Sequence, residues 1–134
     1  MTPDQWKTLQ SELGQPFGHA ELLVDGYKIT LEVQRERALK YCIAIFIDGW
    51  FRGEWARADC EERRRFLSER KVSMWTPAQK KKLTAGMGKR AVAKYFPDLD
   101  KTASYWLPYW PSVTALRRHL VKANQSIELV KLGV

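Results

Sequence analysis

Leu23-Val24-Asp25-Gly26-Tyr27 and Phe46-Ile47-Asp48-Gly49-Trp50 carry one pattern twice: an apolar pair, Asp-Gly, then an aromatic ring. Asp-Gly between alternating apolar residues predicts a two-residue hairpin, because a type I′ turn needs positive φ at both central positions and these residues adopt it cheaply. Residues 20–55 are therefore expected to hold two hairpins.

Outward from the first turn, Tyr27, Ile29, Leu31 and Val33 alternate with Lys28, Thr30, Glu32 and Gln34, the period of a strand with one wet face. The next strand differs. Leu39, Tyr41, Ile43, Ile45 and Ile47 supply one apolar face while Cys42, Ala44 and Phe46 make the other apolar too, so this strand is expected to be central and covered on both sides. Trp50 to Trp55, broken by Gly53, reads as a short fourth strand, at an edge or carrying a bulge, and Arg35-Glu36-Arg37 as a polar link between neighbours.

Helix signals flank this core. Thr2-Pro3-Asp4-Gln5 reads as a capping box with Pro at the first helical position, followed by Trp6, Leu9 and Leu13 on one face and Gly14 at the end. Asp59 and Glu62 suggest a second box, opening a helix through about Arg70 with Phe66 and Leu67 inward. Thr76-Pro77-Ala78-Gln79 repeats the amino-terminal signal, with Lys80-Lys81-Lys82 read as its first turn. Cations there would oppose the helix dipole. After Gly86-Met87-Gly88, Lys89-Arg90 opens a further turn in which Val92, Tyr95 and Phe96 are placed to pack before Pro97. Residues 97–111 read as an irregular aromatic loop holding Tyr105, Trp106, Tyr109 and Trp110. Ser112 caps a last helix, with Val113, Leu116 and Leu120 inward, and residues 126–132 read as a closing strand. The sum is a single α+β domain over residues 1–134. It has an antiparallel sheet of about five strands, two Asp-Gly hairpins in a meander plus a C-terminal strand, covered by three to five short helices.

At 134 residues and 45% hydrophobic content the chain is long enough to bury a core without staples. Two cysteines, Cys42 and Cys60, are too few for a disulfide framework or a zinc cage, and the longest apolar run, Cys42 to Ile47, is too short to span a bilayer. A reduced, cytoplasmic protein with no membrane association is expected. The net charge of +8 is unevenly spread: residues 1–55 hold six Lys/Arg against eight Asp/Glu, whereas Arg57 to Lys94 holds twelve against four. Such a concentration points to an anionic partner, although Glu61 and Glu62 stand where they can neutralise part of Arg63-Arg64-Arg65 within a helix.

No catalytic or metal-binding spacing is present. His19, His119, Cys42 and Cys60 form no motif, so no cofactor, metal or enzymatic activity is expected. Phe46-Ile-Asp-Gly-Trp-Phe-Arg-Gly53, Glu61-Glu-Arg-Arg-Arg-Phe66, the lysine-rich helix, the Tyr-Trp loop and Leu116-Arg-Arg-His-Leu120 together resemble the small accessory proteins encoded by bacteriophages and prophages. That class includes nucleic-acid binders and inhibitors of host defence nucleases. The resemblance implies a basic, non-catalytic binding protein in the host cytosol and assigns no functional residue.

Two functions fit. In the first, Arg63, Arg64, Arg65, Lys80, Lys81, Lys82, Lys89, Arg90, Lys94, Arg117 and Arg118 form a positive face on the phosphates of nucleic acid or a nucleoprotein complex. In the second, the chain is a phage-encoded inhibitor of a host defence nuclease, its basic face engaging a nucleic-acid-handling protein and Trp106, Tyr109 and Trp110 supplying the anchors. Both draw on the same residues.

Overall fold

The computed structural model describes residues 1–134 and shows an α+β architecture. Strands β1 (His19–Val24), β2 (Tyr27–Arg37) and β3 (Lys40–Ile47) form the antiparallel meander, and both Asp-Gly turns are of the expected kind. Asp25 and Gly26 hold φ of 46° and 87°, Asp48 and Gly49 of 52° and 86°, all in the left-handed region that a type I′ turn requires.

Register sets the core. Ala20 faces Leu31 and Leu22 faces Ile29, while Ile29, Leu31 and Val33 in turn face Ile47, Ile45 and Ile43. One face of the sheet is therefore a block of aliphatic side chains. Helices α1 (Pro3–Leu13), α3 (Glu61–Phe66) and α6 (Val113–Ala123) bury Trp6, Leu9, Leu13, Phe66, Leu116 and Leu120 in the same cluster. The capping box of α1 is complete: Gln5 N donates to Thr2 Oγ1 at 3.2 Å, and Thr2 N to Gln5 Oε1 at 3.0 Å. Strand β7 (Ile127–Leu132) closes the sheet beside β1, as expected of a C-terminal strand at an edge.

The other edge departs from the sequence reading. Residues 50–55 make no fourth strand. Trp50 forms only an isolated bridge to Ile47, and Gly53–Arg57 is a short helix, α2. Phe51, just ahead of the N-cap Arg52, meets the Trp55 ring edge to face at 6.0 Å, and Glu54 lies in the helix's first turn where the dipole favours an anion. The vacated place beside β3 is taken by β6 (Tyr109–Trp110), giving the order β6-β3-β2-β1-β7. Trp110 pairs with Ile43 and is buried, and its indole Nε1 donates to the Phe66 carbonyl at 2.9 Å. The supposed aromatic loop is thus partly strand, because that ring has an apolar seat and a hydrogen-bond acceptor inside the core.

Three further boundaries move. The Arg35-Glu36-Arg37 link belongs to β2, which runs past a bulge to pair Arg37 with Lys40; Leu39 sits in the tight turn at φ 63°, 97% exposed, instead of on a strand face. Helix α3 stops at Phe66 and not near Arg70. Its N-cap is Cys60, without a side-chain bond, while Asp59 pairs with Arg64 at 3.2 Å. Ser68–Ser73 is strand β4, paired with β5 (Thr102–Leu107) in a separate two-stranded sheet. Ser68 holds that switch, its hydroxyl placed on the carbonyls of Tyr109 (2.6 Å) and Leu107 (3.3 Å), a buried polar contact that local helix propensity does not anticipate.

The chain divides into two compact units. The first, residues 1–68 and 106–134, contains the five-stranded sheet and its helices. The second, residues 69–105, contains most of the β4–β5 ribbon together with α4 (Pro77–Leu83) and α5 (Lys89–Tyr95). In it only Leu99 is buried.

Candidate functional site

The arginine run of α3 is largely spent within the first unit. Arg63 lays its guanidinium over the Trp106 ring, 3.3 Å from the centroid, and donates through Nη2 to the Ala56 carbonyl at 3.3 Å. Arg65 is fully engaged: Nη1 reaches Asp25 Oδ2 at 2.7 Å and Asn124 Oδ1 at 3.0 Å, while Nε and Nη2 reach Glu61 Oε1 at 2.8 and 2.6 Å. Only Arg64 projects into solvent, beside Asp59 at 3.2 Å. A cavity of about 420 Å³ lies beside these groups, lined by Glu61, Arg64, Arg65 and Ala123. On α6, Arg117 and Arg118 are exposed, the first with its guanidinium 5.2 Å from the Trp6 ring.

Asp25 is the organising anion of this region. Besides Arg65 it accepts from the backbone N–H groups of Ser126 (2.8 Å) and Gln125 (2.9 Å), and those two donors, with Arg65 adding to them, hold its carboxyl below the usual carboxylate range. The second Asp-Gly turn is held more lightly, Asp48 Oδ1 accepting from Lys28 N at 3.0 Å. His119, on α6, is half-buried. Its ring lies 5.0 Å from Trp110, and its Nε2 is 2.9 Å from the Arg64 carbonyl; since a carbonyl can only accept, Nε2 carries the proton. Burial, with the Lys122 charge acting the same way, pushes its pKa down.

The aromatic residues singled out in the sequence separate. Trp110 belongs to the core, Trp106 is half-buried beneath Arg63, and Tyr109 stays at the surface. Neither His19, next to Glu32 at 3.7 Å, nor Cys60 is joined by other side chains into a catalytic arrangement, and no three His, Cys, Asp or Glu side chains converge where they could hold a metal ion. No helix is long and apolar enough to cross a membrane.

The second unit has the opposite character. Of its 37 residues nine are Lys or Arg and three Asp or Glu, so it carries +6 of the chain's +8. The capping box on α4 is complete, Gln79 N to Thr76 Oγ1 at 3.2 Å and Thr76 N to Gln79 Oε1 at 2.8 Å, but the helix ends at Leu83. Lys80, Lys81 and Lys82 consequently occupy its last turn, where the dipole favours cations, and not the first turn, where their position would be locally unrewarded. Lys80 pairs with Asp100 at 3.0 Å. Lys81, Lys82, Lys89, Arg90 and Lys94 are exposed and have no carboxylate partner.

This unit also holds groups that the sequence reading passed over. Tyr95, expected to pack, is 65% exposed, with Lys94 Nζ 5.4 Å from its ring centroid. Trp75 is exposed and, with Tyr95, Phe96, Pro97, Asp98 and Leu99, lines a cavity of about 190 Å³. The signal was Met74-Trp75 immediately before a helix cap, a site where an apolar residue ordinarily staples to the helix. Comparison of the chain with protein-family models, curated proteins and solved structures finds no match.

Proposed function

We propose that the protein binds nucleic acid through its phosphate backbone and that residues 69–105 carry the contact. The supporting observation is a set of exposed cations without carboxylate partners, Lys81, Lys82, Lys89, Arg90 and Lys94 among them, in a segment of net charge +6. Cations neutralised internally gain little from a phosphate; cations left in water release the condensed counterions of a polyanion when they meet it, and that entropy drives binding. Arg63 and Arg65 are committed to Trp106, Asp25 and Glu61, so the reading leaves them out. No catalytic step is part of this function, and the resemblance to phage-encoded accessory proteins accords with it.

The double substitution Lys81→Gln/Lys82→Gln tests the reading. Neither lysine has a partner inside the protein, so the melting temperature should barely change. The slope of log affinity against log salt should fall by about 0.7–0.9 for each lysine engaged, by similar amounts on unrelated sequences. A wild-type protein that binds no oligonucleotide even at low salt overturns it. In that event exposed Val72, Met74, Trp75 and Tyr95 favour the inhibitor reading, in which a protein partner buries these side chains.

A further inference from the structure

We infer that the nucleic acid bound is single-stranded and that the cavity between Trp75 and Tyr95 receives one of its unstacked bases. The inference rests on the phosphate-binding reading above and names its substrate. Phosphate recognition alone needs no rings, and in a duplex the faces of the bases are stacked against one another. Here two large rings, Trp75 and Tyr95, stay exposed in the segment that carries the charge, and Phe96, Pro97 and Leu99 complete an apolar wall around about 190 Å³. Lys94 sets its ammonium 5.4 Å from the centroid of the Tyr95 ring, so a cation and a stacking surface are adjacent, as the phosphate and base of one nucleotide are. Asp98 is the one charged side chain in the wall, and its carboxylate repels a phosphate. Charge therefore sorts the ligand: the backbone stays on Lys94 and its neighbours while a neutral, flat ring enters the cavity.

The experiment compares labelled single-stranded and duplex DNA of one length and sequence, at matched salt, on the full chain and on Tyr95→Ala and Tyr95→Phe. Tyr95 is 65% exposed, so its replacement leaves the fold standing, which a melting curve checks. The single strand should bind about ten-fold or more tighter than the duplex, Tyr95→Ala should lose about that factor on the single strand alone with an unchanged salt slope, and Tyr95→Phe should bind as the wild type does. Equal affinity for the two forms, with Tyr95→Ala inert, overturns base insertion while leaving phosphate binding intact. Failure of both forms to bind at low salt overturns the phosphate reading and this one with it. A wild-type protein that self-associates in sedimentation, with Tyr95→Ala monomeric, assigns the cavity to a second copy of the chain and overturns the inference.

Discussion

The two units solve opposite problems with one alphabet. In residues 1–68 and 106–134, aromatic and basic residues are turned inward on each other: Arg63 covers Trp106, Arg65 closes on Asp25 and Glu61, and Trp110 donates to Phe66 from within the core. In residues 69–105 Lys80 meets Asp100 and Lys94 lies by the Tyr95 ring, but most of the cations have no internal carboxylate partner, and one leucine is all that is buried. The difference teaches that a count of Arg, Lys and Trp says little about binding until it is known which of them the fold has already used.

The largest effect that can break this contrast is in packing. Phe66 is fully buried and meets Tyr27 edge to face at 5.3 Å, so Phe66→Ala should cost about 3–5 kcal/mol in denaturant unfolding. Val92→Ala in the second unit should cost under about 1 kcal/mol, because Val92 is only half-buried. The amides of α4 and α5 should also exchange with solvent well before those of β1–β3, since local opening is easiest where little apolar surface is buried. Equal costs, or equal protection, would show that residues 69–105 hold a core of their own.

Backbone conformation comes next. Gly26 and Gly49 hold nearly the same φ, and a Cβ at either would meet no atom within 4 Å, so any cost of substitution is conformational and not steric. Gly49→Val should destabilise by about 1–3 kcal/mol, while Gly49→Asn should cost much less, because asparagine tolerates the left-handed region. Equal melting temperatures for the two variants would refute a strained turn.

The smallest effect is a pH dependence. Burial depresses the pKa of His119, so the folded state prefers the neutral ring. The stability this supplies is complete above the ordinary histidine value of 6.5 and is lost as the pH falls through the depressed folded value. Asp25, also depressed, follows the same sign in a lower window: its contribution is complete above 3.8 and is lost on further acidification. His119→Gln keeps a donor for the Arg64 carbonyl and removes the titration. The melting temperature of that variant should decline less than that of the wild type as the pH falls just below 6.5.

What the sequence discloses follows from the range of the forces involved. Asp25-Gly26, Asp48-Gly49, Thr2-Pro3 and Thr76-Pro77 act over four residues, and each forms the turn or cap its own chemistry dictates. The period-two stripe of Ile29 and Leu31 likewise needs only a strand to express it. Trp110 could not be read locally, because its partners Ile43 and Phe66 are distant in the chain, and neither could the end of α3, which Ser68 fixes through Leu107 and Tyr109. At the candidate site the charge excess was legible. Its division into spent arginines and exposed lysines was not, since Asp25 finds Arg65 across 40 residues.

The two Asp-Gly turns, alike in letters, also part company in time. Asp48 finds its acceptor role satisfied by Lys28, already synthesised. Asp25 waits for Gln125 and Ser126, which leave the ribosome about a hundred residues later. On a chain made from the amino terminus, the β1–β2–β3 meander can pair as it emerges, whereas the lock on its first turn cannot engage until the last helix and β7 arrive. Until β7 arrives the outer edge of β1 has no partner strand, and the bonds from Gln125 and Ser126 to Asp25 form only with the segment that closes that edge.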